Sequence, residues 1–298
     1  MTVTPTSTAA RDSAAYHRFT IGVFDAVAVS DGTMSVPAYP TYAPNADPRE
    51  VERTLRAHGL PADHYDLQGT ALVVDTGAHR VLIDAGAGAE LGPGLGRLAA
   101  NLRAAGVDTG DIDTVILTHA HPDHIGGIAA EDGTLTFPNA RYHIASVEWA
   151  FWTAPNVDLT PVRLDDALKA RFVAAARRHL GAIAGRVALF APDGEIVPGV
   201  RAVAAPGHTS GHSAVLIASG DARLLHVADV FHSAAFDLDH PDWQTAFDYD
   251  AGQAFTTRRR LLDEASADRM PLMAYHMPFP GLGRVRARAD RYDWEPAF

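Results

Sequence analysis

Apolar residues in this chain follow two kinds of pattern, one typical of strands and one typical of helices. From Phe19 to Val29 they alternate with small or polar residues, which predicts one or two strands closing at Asp31-Gly32. The other strand-like runs are short and apolar, and lie at 70–74 and 80–83 (a hairpin), at 114–117 and 141–144, in a predicted second sheet at 187–190, 200–204, 214–217 and 224–227, and in a last strand at 270–275.

Helices are predicted where apolar residues recur every three or four positions after a capping residue. Asp47-Pro48-Arg49-Glu50 supplies an N-cap, a proline at the first helical position and a capping-box glutamate, and Gly59 supplies a stop. Asp250 opens a similar helix that runs to about Ala267. Further helices are predicted near 95–102, at 146–153 and at 164–180. Helices interleaved with strands in both halves favour two packed sheets with helices outside.

Composition limits the chemistry and the partners. The net charge of −11 argues against nucleic acid or an anionic membrane as the main partner. No apolar run approaches the roughly 20 residues of a spanning helix, and no signal peptide is recognisable, so a cytoplasmic protein is expected. The chain contains no cysteine, which excludes disulfides and thiolate ligands, and any metal site must use histidine and carboxylate.

Domain organisation is predicted from the ends and from one proline-rich stretch. Residues 1–16, rich in Thr, Ala and Ser, predict a flexible arm ahead of a single domain over 17–298. The segment 36–66 combines an irregular loop with the helix after Asp47. It is a candidate lid or dimer element, with a plain surface helix as the alternative.

Three histidines and one aspartate fall within six positions directly after the strand at 114–117. They form an H-x-H-x-D-H pattern, followed by two glycines that let the backbone pack closely: His119, His121, Asp123 and His124, then Gly126 and Gly127. Imidazole and carboxylate are good ligands for a divalent metal such as zinc. A histidine-rich solvated loop is the alternative, but this spacing is far more specific.

Three later residues occupy similar positions, each where a predicted strand meets a loop: His208, Asp229 and His276. A lone histidine or aspartate at a strand end is often only a capping or hydrogen-bonding group. Side chains at the ends of rigid strands also make preorganised sites, so the set is a candidate continuation of the first cluster.

The H-x-H-x-D-H segment resembles the signature of the metallo-β-lactamase superfamily, and the resemblance extends over most of the chain. It implies an α+β fold, a four-layer αββα sandwich with a metal site where the two sheets meet. The ligand sets it implies are His119, His121 and His208 for one metal, Asp123, His124 and His276 for a second, and Asp229 as the bridge.

The same resemblance implies supporting residues around the ligands. Asp84 matches an aspartate that orients a ligand imidazole, and His212 is either a second supporting group or structural. His232 lies where some relatives place a residue that contacts the substrate. The remaining histidines are expected to be ordinary surface groups, among them His17, His58, His64 and His179.

The C-terminal third resembles the methyl parathion hydrolase branch, which is similar to the N-acyl-homoserine lactonases. The segments that carry the resemblance are 241–243, 247–250, 257–260 and especially His276-Met277-Pro278-Phe279-Pro280-Gly281-Leu282-Gly283. It implies a binuclear hydrolase of lactones, aryl esters or phosphotriesters, commonly a homodimer, acting on a small-molecule substrate.

In the implied mechanism, a metal-bridging hydroxide attacks the substrate, Asp229 holds both metals and Asp123 is the default proton donor. Zn²⁺ is the expected metal, with Mn²⁺, Co²⁺ or Fe²⁺ as alternatives. The alternative functions are a β-lactamase-like or thioesterase hydrolase, a single-iron persulfide-type oxygenase on the same fold, and a non-catalytic binding protein.

Overall fold

A computed structural model describes residues 15–297 of the chain. The predicted flexible arm lies almost entirely outside the described residues. Its last residue, Tyr16, is the first residue of a strand.

The first sheet is built from the N-terminal half of the chain, and its strands lie side by side in chain order. Within residues 15–297 they are β1 (Tyr16–Ile21), β2 (Phe24–Pro37), β3 (His64–Asp75), β4 (Arg80–Ile83), β5 (Thr114–Leu117), β6 (Arg141–Ala145) and β7 (Val187–Phe190). Neighbours from β1 to β4 are antiparallel, and neighbours from β4 to β7 are parallel. The carboxyl ends of β4 and β5 therefore lie at the same edge.

The second sheet is built from the C-terminal half. In the described part of the chain its order is β14-β13-β12-β11-β10-β9-β8, where the strands are β8 (Glu195–Val197), β9 (Val200–Ala204), β10 (Ser213–Ser219), β11 (Ala222–Ala228), β12 (Leu272–Ala274), β13 (Leu282–Ala287) and β14 (Tyr292–Pro296). Only the β11–β12 pair among the described pairs of this sheet is parallel.

Two predicted strands are present, but one was assigned to the wrong sheet and the other to the wrong place in the chain order. The run at 187–190 was assigned to the second sheet, but β7 pairs with β6 in the first. The strand at 270–275 was expected to be the last, but β13 and β14 follow it. An apolar run indicates burial and does not specify the neighbouring strand.

Among the α-helices of residues 15–297, all but the short one at 122–125 agree closely with the predicted ones, and the three longest have a side-chain N-cap in the local sequence. The α-helices are α1 (Pro48–Ala57), α2 (Leu98–Ala104), α3 (Pro122–Ile125), α4 (Ser146–Trp152), α5 (Asp166–Ala182) and α6 (Ala251–Asp268). Asp47 accepts a hydrogen bond from the Arg49 amide, and Asp250 accepts one from the Gln253 amide, as N-caps do. No helix in the described range 15–297 combines the length and apolarity needed to cross a membrane.

Burial of both faces of the central strands produces the four layers. In β4, Val81 and Ile83 pack between the sheets, whereas Leu82 packs on the other side with Leu98 and Leu102 of α2. Helices α2, α4 and α5 cover the outer face of the first sheet, and α6 covers that of the second with Leu261 and Leu262. The predicted αββα sandwich is confirmed.

Strand β2 does not close at Asp31-Gly32 as predicted. A bulge between Ser30 and Gly32 interrupts its register with β3, and the strand continues to Pro37. Gly32 has a φ of +122°, and a Cβ there would lie 2.1 Å from the Gly94 carbonyl oxygen. The glycine therefore permits a bulge and a close backbone approach, and it does not end the strand.

The bulge turns the side chain of Asp31 into the protein, where it holds the loop between β4 and α2. Its carboxylate is fully buried and accepts hydrogen bonds from the amides of Ala87 (2.9 Å), Gly96 (3.1 Å) and Leu98 (2.8 Å). One carboxylate thus satisfies three backbone donors in a loop that has no sheet partner.

We expect Asp31→Asn to lower the free energy of unfolding by about 2–4 kcal/mol, because the new amide group would point a donor at amide donors that need an acceptor. Chemical denaturation would measure the change. Asp25→Asn is the matched control, since Asp25 is an exposed residue of the same strand and should shift stability by less than about 0.5 kcal/mol. Equal stability of the two variants would contradict the proposal that Asp31 holds the loop between β4 and α2.

The segment 36–66 packs on a later part of the chain. Val51 and Leu55 of α1 share a buried cluster with Tyr65 and with Phe236 and Trp243. The segment therefore belongs to the body of the protein, and its role as a lid or dimer element stays a prediction.

Candidate metal centre

All seven predicted ligands lie at one edge of the sandwich, just beyond the carboxyl ends of strands. His119 and His121 follow β5, and Asp123 and His124 lie on the short helix α3. The others follow strands of the second sheet: His208 comes after β9, Asp229 directly after β11 and His276 after β12.

One group of ligand atoms is made of three imidazoles. His119, His121 and His208 each offer a nitrogen, and these atoms lie within 4.8 Å of one another. The closest approach joins His121 Nδ1 to His208 Nε2 at 3.0 Å. Two imidazole nitrogens that face each other at this distance suit a shared cation between them.

A second group adds carboxylates. The ligand atoms of Asp123, His124 and His276 also lie within 4.8 Å of one another, and His276 Nε2 is 3.4 Å from Asp123 Oδ2. Asp229 lies between the groups: its Oδ1 is 3.2 Å from His124 Nε2, and its Oδ2 is 3.3 Å from His208 Nε2. The arrangement matches a carboxylate that touches two neighbouring cation positions.

Unpartnered buried atoms indicate that the centre suits cations. His119 Nε2, His124 Nε2 and Asp229 Oδ1 are buried and form no hydrogen bond of acceptable geometry within the described residues. Buried polar atoms are nearly always satisfied, so three exceptions at one point need a partner. The donor set, all nitrogen and oxygen, is one that zinc and similar divalent metals accept.

Several ligand histidines have a fixed partner for the ring nitrogen that faces away from the centre. His124 Nδ1 lies 2.8 Å from Asp84 Oδ2, as expected of Asp84, and His208 Nδ1 lies 3.0 Å from Asp248 Oδ1. His276 Nδ1 lies 2.6 Å from the Gln68 carbonyl oxygen. Such partners fix the tautomer and leave the other nitrogen free to bind a metal.

The electrostatics of the centre favour positive charge at its middle. Burial lowers the pKa of His119 and of His121 well below the ordinary value, which keeps both imidazoles neutral. Burial also lowers the pKa of His124, but Asp229, Asp123 and Asp84 outweigh it and the net pKa lies well above the ordinary value. A proton or a metal cation meets this demand for positive charge.

Backbone geometry at two strand ends directs side chains into the centre. Asp84, directly after β4, has a φ of +63°, and Ala228, directly before Asp229, has a φ of +48°. Left-handed backbone at non-glycine residues is costly and is often found at functional sites. Behind the ligands, a Cβ on Gly127 would lie 1.9 Å from the Ala85 carbonyl oxygen, so the predicted close packing there is present.

His212 and His232 both lie beside Asp229. His212 Nε2 accepts the Asp229 amide at 3.2 Å and its Nδ1 lies 3.0 Å from the Ala205 carbonyl oxygen, so it supports the backbone of Asp229. Burial lowers the pKa of His212 to about 3, which keeps this acceptor neutral. His232 Nε2 is 3.4 Å from Asp229 Oδ2 and faces the centre. Its predicted contact with substrate stays a prediction.

Two of the four histidines expected on the surface are buried. His179 is fully buried with Nε2 2.8 Å from Glu90 Oε1, and His17 is 7% exposed. His179 lies on the inward face of α5, and His17 lies on the buried face of β1 together with Phe19 and Ile21. Residue type alone overestimated their exposure.

Three buried acidic residues near the centre were missed as supporting groups. Asp248 backs His208. Asp237 accepts the His232 amide at 2.8 Å and pairs with the buried Arg258 at 3.1 Å. Glu148 is fully buried on α4. Acidic residues are usually exposed, and each of these three has at least one partner more than 20 residues away, so the local sequence does not indicate their burial.

A cavity of about 210 Å³ opens onto the centre. Its floor includes His121, Asp123, Asp229 and His276. Its walls are mainly apolar and come from β2, β3, the loop after β4, α5 and the segment before α6, namely Met34, Val36, Leu67, Leu91, Leu168, Phe172 and Phe247, and they also include Tyr42 and one charged residue, Arg171. A reactive polar floor below apolar walls is typical of a small-molecule site.

A cluster of histidine and aspartate at the edge of an αββα sandwich defines the class as a metallo-hydrolase fold with a metal-binding site. The sequence pattern of the metallo-β-lactamase superfamily matches residues 64–276. The chain belongs to this superfamily.

Curated relatives match part of the chain. A probable metallo-hydrolase from Mycobacterium tuberculosis is 32% identical over 191 residues, which are 54% of this chain and 56% of that protein. The chain thus spans about half the length of that relative. An atrochrysone carboxyl ACP thioesterase from Passalora fulva is 37% identical over 93 residues, 31% of this chain and 26% of that protein.

Solved structures match nearly the whole chain. AidC, described as a dizinc quorum-quenching lactonase in complex with a product, N-hexanoyl-L-homoserine, superposes with a TM-score of 0.91 at 28% identity, covering 95% of this chain and 97% of that one. The hydrolase AbOPH of the β-lactamase superfamily gives a TM-score of 0.87 at 26% identity, covering 96% and 98%.

Proposed function

We propose that the chain is a binuclear metal-dependent hydrolase whose two cations are held by the seven converging side chains. The observation that carries the proposal is the convergence of buried ligand atoms, of which those on His119, His124 and Asp229 form no hydrogen bond of acceptable geometry within the described residues. The proposed ligands are His119, His121 and His208 at the first position, Asp123, His124 and His276 at the second, and Asp229 between them.

Two bound metals would supply an acidified water and a Lewis acid for the substrate oxygen. The chain itself orients the reactants and moves the proton. Asp123 is suited to the proton transfer, because its carboxylate is 13% exposed and faces the cavity. The bond between the acyl or phosphoryl centre and the leaving oxygen breaks, a bond to the water oxygen forms, and one water proton passes through Asp123 to the leaving oxygen.

The proposed substrate is a neutral lactone that carries an apolar acyl group, with aryl esters and phosphotriesters as further candidates. The apolar walls of the cavity support an apolar substituent. The lactonase AidC, similar over nearly the whole chain and described with an acyl-homoserine product, supports a lactone as the first choice.

Three further parts of the proposal are the metal, which rests on the donor set, the homodimer, which rests on the family resemblance, and the cytoplasmic location. Zinc is the proposed metal because all the candidate ligands are histidine or aspartate. A homodimer and a cytoplasmic location stay predictions. Elemental analysis and light scattering on the purified protein test the first two, and fractionation of the producing cell tests the third.

A substrate panel tests the function. The panel contains an N-acyl-homoserine lactone, an aryl ester, a phosphotriester, an acyl thioester and a β-lactam, assayed with metal content measured on the same sample. We expect two metals per chain and the highest kcat/KM on the lactone. Two bound metals without turnover of any substrate would contradict the hydrolase and favour a binding protein, and one iron per chain would favour an oxygenase.

A further inference from the structure

Glu148 joins the two loops that carry the three-imidazole group. It lies on α4, whose residues contribute no ligand atom, and its side chain is fully buried. Oε1 accepts the amide of Ala120, the residue between His119 and His121, at 3.0 Å. Oε2 accepts the hydroxyl of Thr209, the residue after His208, at 2.7 Å.

Two more donors complete the hydrogen bonding of this carboxylate. Trp152 Nε1 donates to Oε1 at 2.7 Å, and the Gly211 amide donates to Oε2 at 2.8 Å. Each oxygen therefore accepts two hydrogen bonds. One donor to Oε1 comes from the His119–His121 loop, and both donors to Oε2 come from the His208 loop. A buried carboxylate is costly unless donors satisfy it, and here four donors do so.

The backbone of α4 also abuts the His208 loop. A Cβ on Gly211 would lie 2.3 Å from the Glu148 backbone nitrogen, so the helix and the loop are in direct contact. Glu148 thus connects the two loops through its side chain and one backbone contact, beside the direct hydrogen bond from the Ser213 amide to the Thr118 carbonyl oxygen at 3.0 Å.

The second ligand group is supported by different residues. Asp84 accepts the Thr118 amide at 2.8 Å and contacts His124 Nδ1, and the Gln68 carbonyl oxygen contacts His276 Nδ1. None of the hydrogen bonds of Glu148 described above reaches Asp123, His124 or His276. Asp84 reaches the three-imidazole group only indirectly, through Thr118, whose hydroxyl lies 3.1 Å from His119 Nδ1. The residues in direct contact with the two groups therefore differ.

We propose that Glu148 is a positioning residue that sets the distance between the His119–His121 loop and the His208 loop, and so determines the metal affinity of the three-imidazole position alone. This inference rests on the proposed function, because it assigns a separate support to one of the two proposed metals.

Glu148→Gln tests this positioning role, because glutamine keeps the shape of the side chain but replaces one acceptor oxygen with a donor. In one orientation the new amide faces the donors of Ala120 and Trp152. In the other orientation it faces Thr209 and Gly211. The Thr209 hydroxyl is able to turn and accept a hydrogen bond, but the Gly211 amide is only a donor. One loop therefore loses its acceptor in either orientation.

The measurement is a stepwise Co²⁺ titration of the metal-free full-length protein against a competing chelator, followed by the visible absorption of Co²⁺. We expect Glu148→Gln to weaken one of the two binding steps by about 10- to 100-fold and to change its spectrum, since buried supports of metal ligands have effects of this size. Thr209→Val, a milder variant, should weaken the same step by about fivefold.

Two matched variants make the result specific. Asp84→Asn should weaken mainly the other binding step, because Asp84 contacts His124 directly and His119 only through Thr118. Asp113→Asn removes a half-buried carboxylate just before β5, at the end far from the ligands, where Asp113 accepts the Arg80 amide at 2.9 Å and the Thr114 hydroxyl at 2.6 Å. It should lower the unfolding temperature and leave both Co²⁺ affinities unchanged.

The inference is overturned if Glu148→Gln and Thr209→Val lower only the unfolding temperature, or if they weaken the same step as Asp84→Asn. Wild-type protein that binds no Co²⁺ would overturn the proposed function, and this inference with it. If the wild-type protein binds two Co²⁺ and Glu148→Gln gives the same titration, the proposed function stands and only the positioning role of Glu148 is overturned.

Discussion

Asp229→Ala should lower kcat/KM for lactone or ester hydrolysis by a factor on the order of 10³ or more and should reduce the metal content below two per chain. Asp229 is the side chain whose two oxygens approach both ligand groups, with Oδ1 near His124 and Oδ2 near His208 and His276. Its removal takes away the anion that separates two like charges. Steady-state kinetics and elemental analysis of the same preparation measure both effects.

Asp221→Ala is the control for this change, because Asp221 is an exposed aspartate in the turn between β10 and β11, eight residues before Asp229. The control should retain wild-type activity and metal content. Near-normal hydrolysis by Asp229→Ala with two metals still bound would show that Asp229 is not a required metal ligand.

Removal of the metals should have an effect of similar size. Prolonged chelation is expected to lower hydrolysis by a factor on the order of 10³ or more, and added Zn²⁺, Mn²⁺ or Co²⁺ should restore it, because the water and the substrate oxygen then lack their cations. The unfolding temperature should also fall, since a metal that binds only the folded chain stabilises it. Activity assays and calorimetry on chelated and reconstituted samples provide the two readouts.

Chelator saturated with Ca²⁺ before use is the control, and it should leave activity unchanged. Hydrolysis that persists in protein with a measured metal content of zero would defeat the metal-dependent mechanism. An unchanged unfolding temperature with full loss of activity would indicate that the cations do not bind at the buried ligand atoms.

The candidate site was largely accessible from the sequence because much of it is contiguous. A four-residue strand, a turn and four side chains of the H-x-H-x-D-H segment lie within eleven positions, from Thr114 to His124. The three later candidates stood out because each follows a strand, and parallel strands bring such ends to one edge. The structure does bring all seven together, and their binding of metal stays a prediction.

The supporting residues were accessible only in part. Asp84 was expected from the family resemblance, and it contacts His124 as expected. Asp248 lies 40 residues from His208, and Glu148 lies 61 residues from Thr209. A pair this distant leaves no periodic pattern in either segment, so each carboxylate has the appearance of an ordinary surface residue until the chain is folded.

The sequence by itself determined the elements whose causes are local: the caps at Asp47 and Asp250, the alternating strands, and the order of the candidate ligands. Only the tertiary structure decided that β7 joins the first sheet, that β2 continues through its bulge at Asp31, and that His179, Asp31 and Glu148 are buried. The physical reason is that periodicity and capping depend on neighbours a few residues away. Strand partners and buried polar contacts depend on groups that only the folded chain brings together.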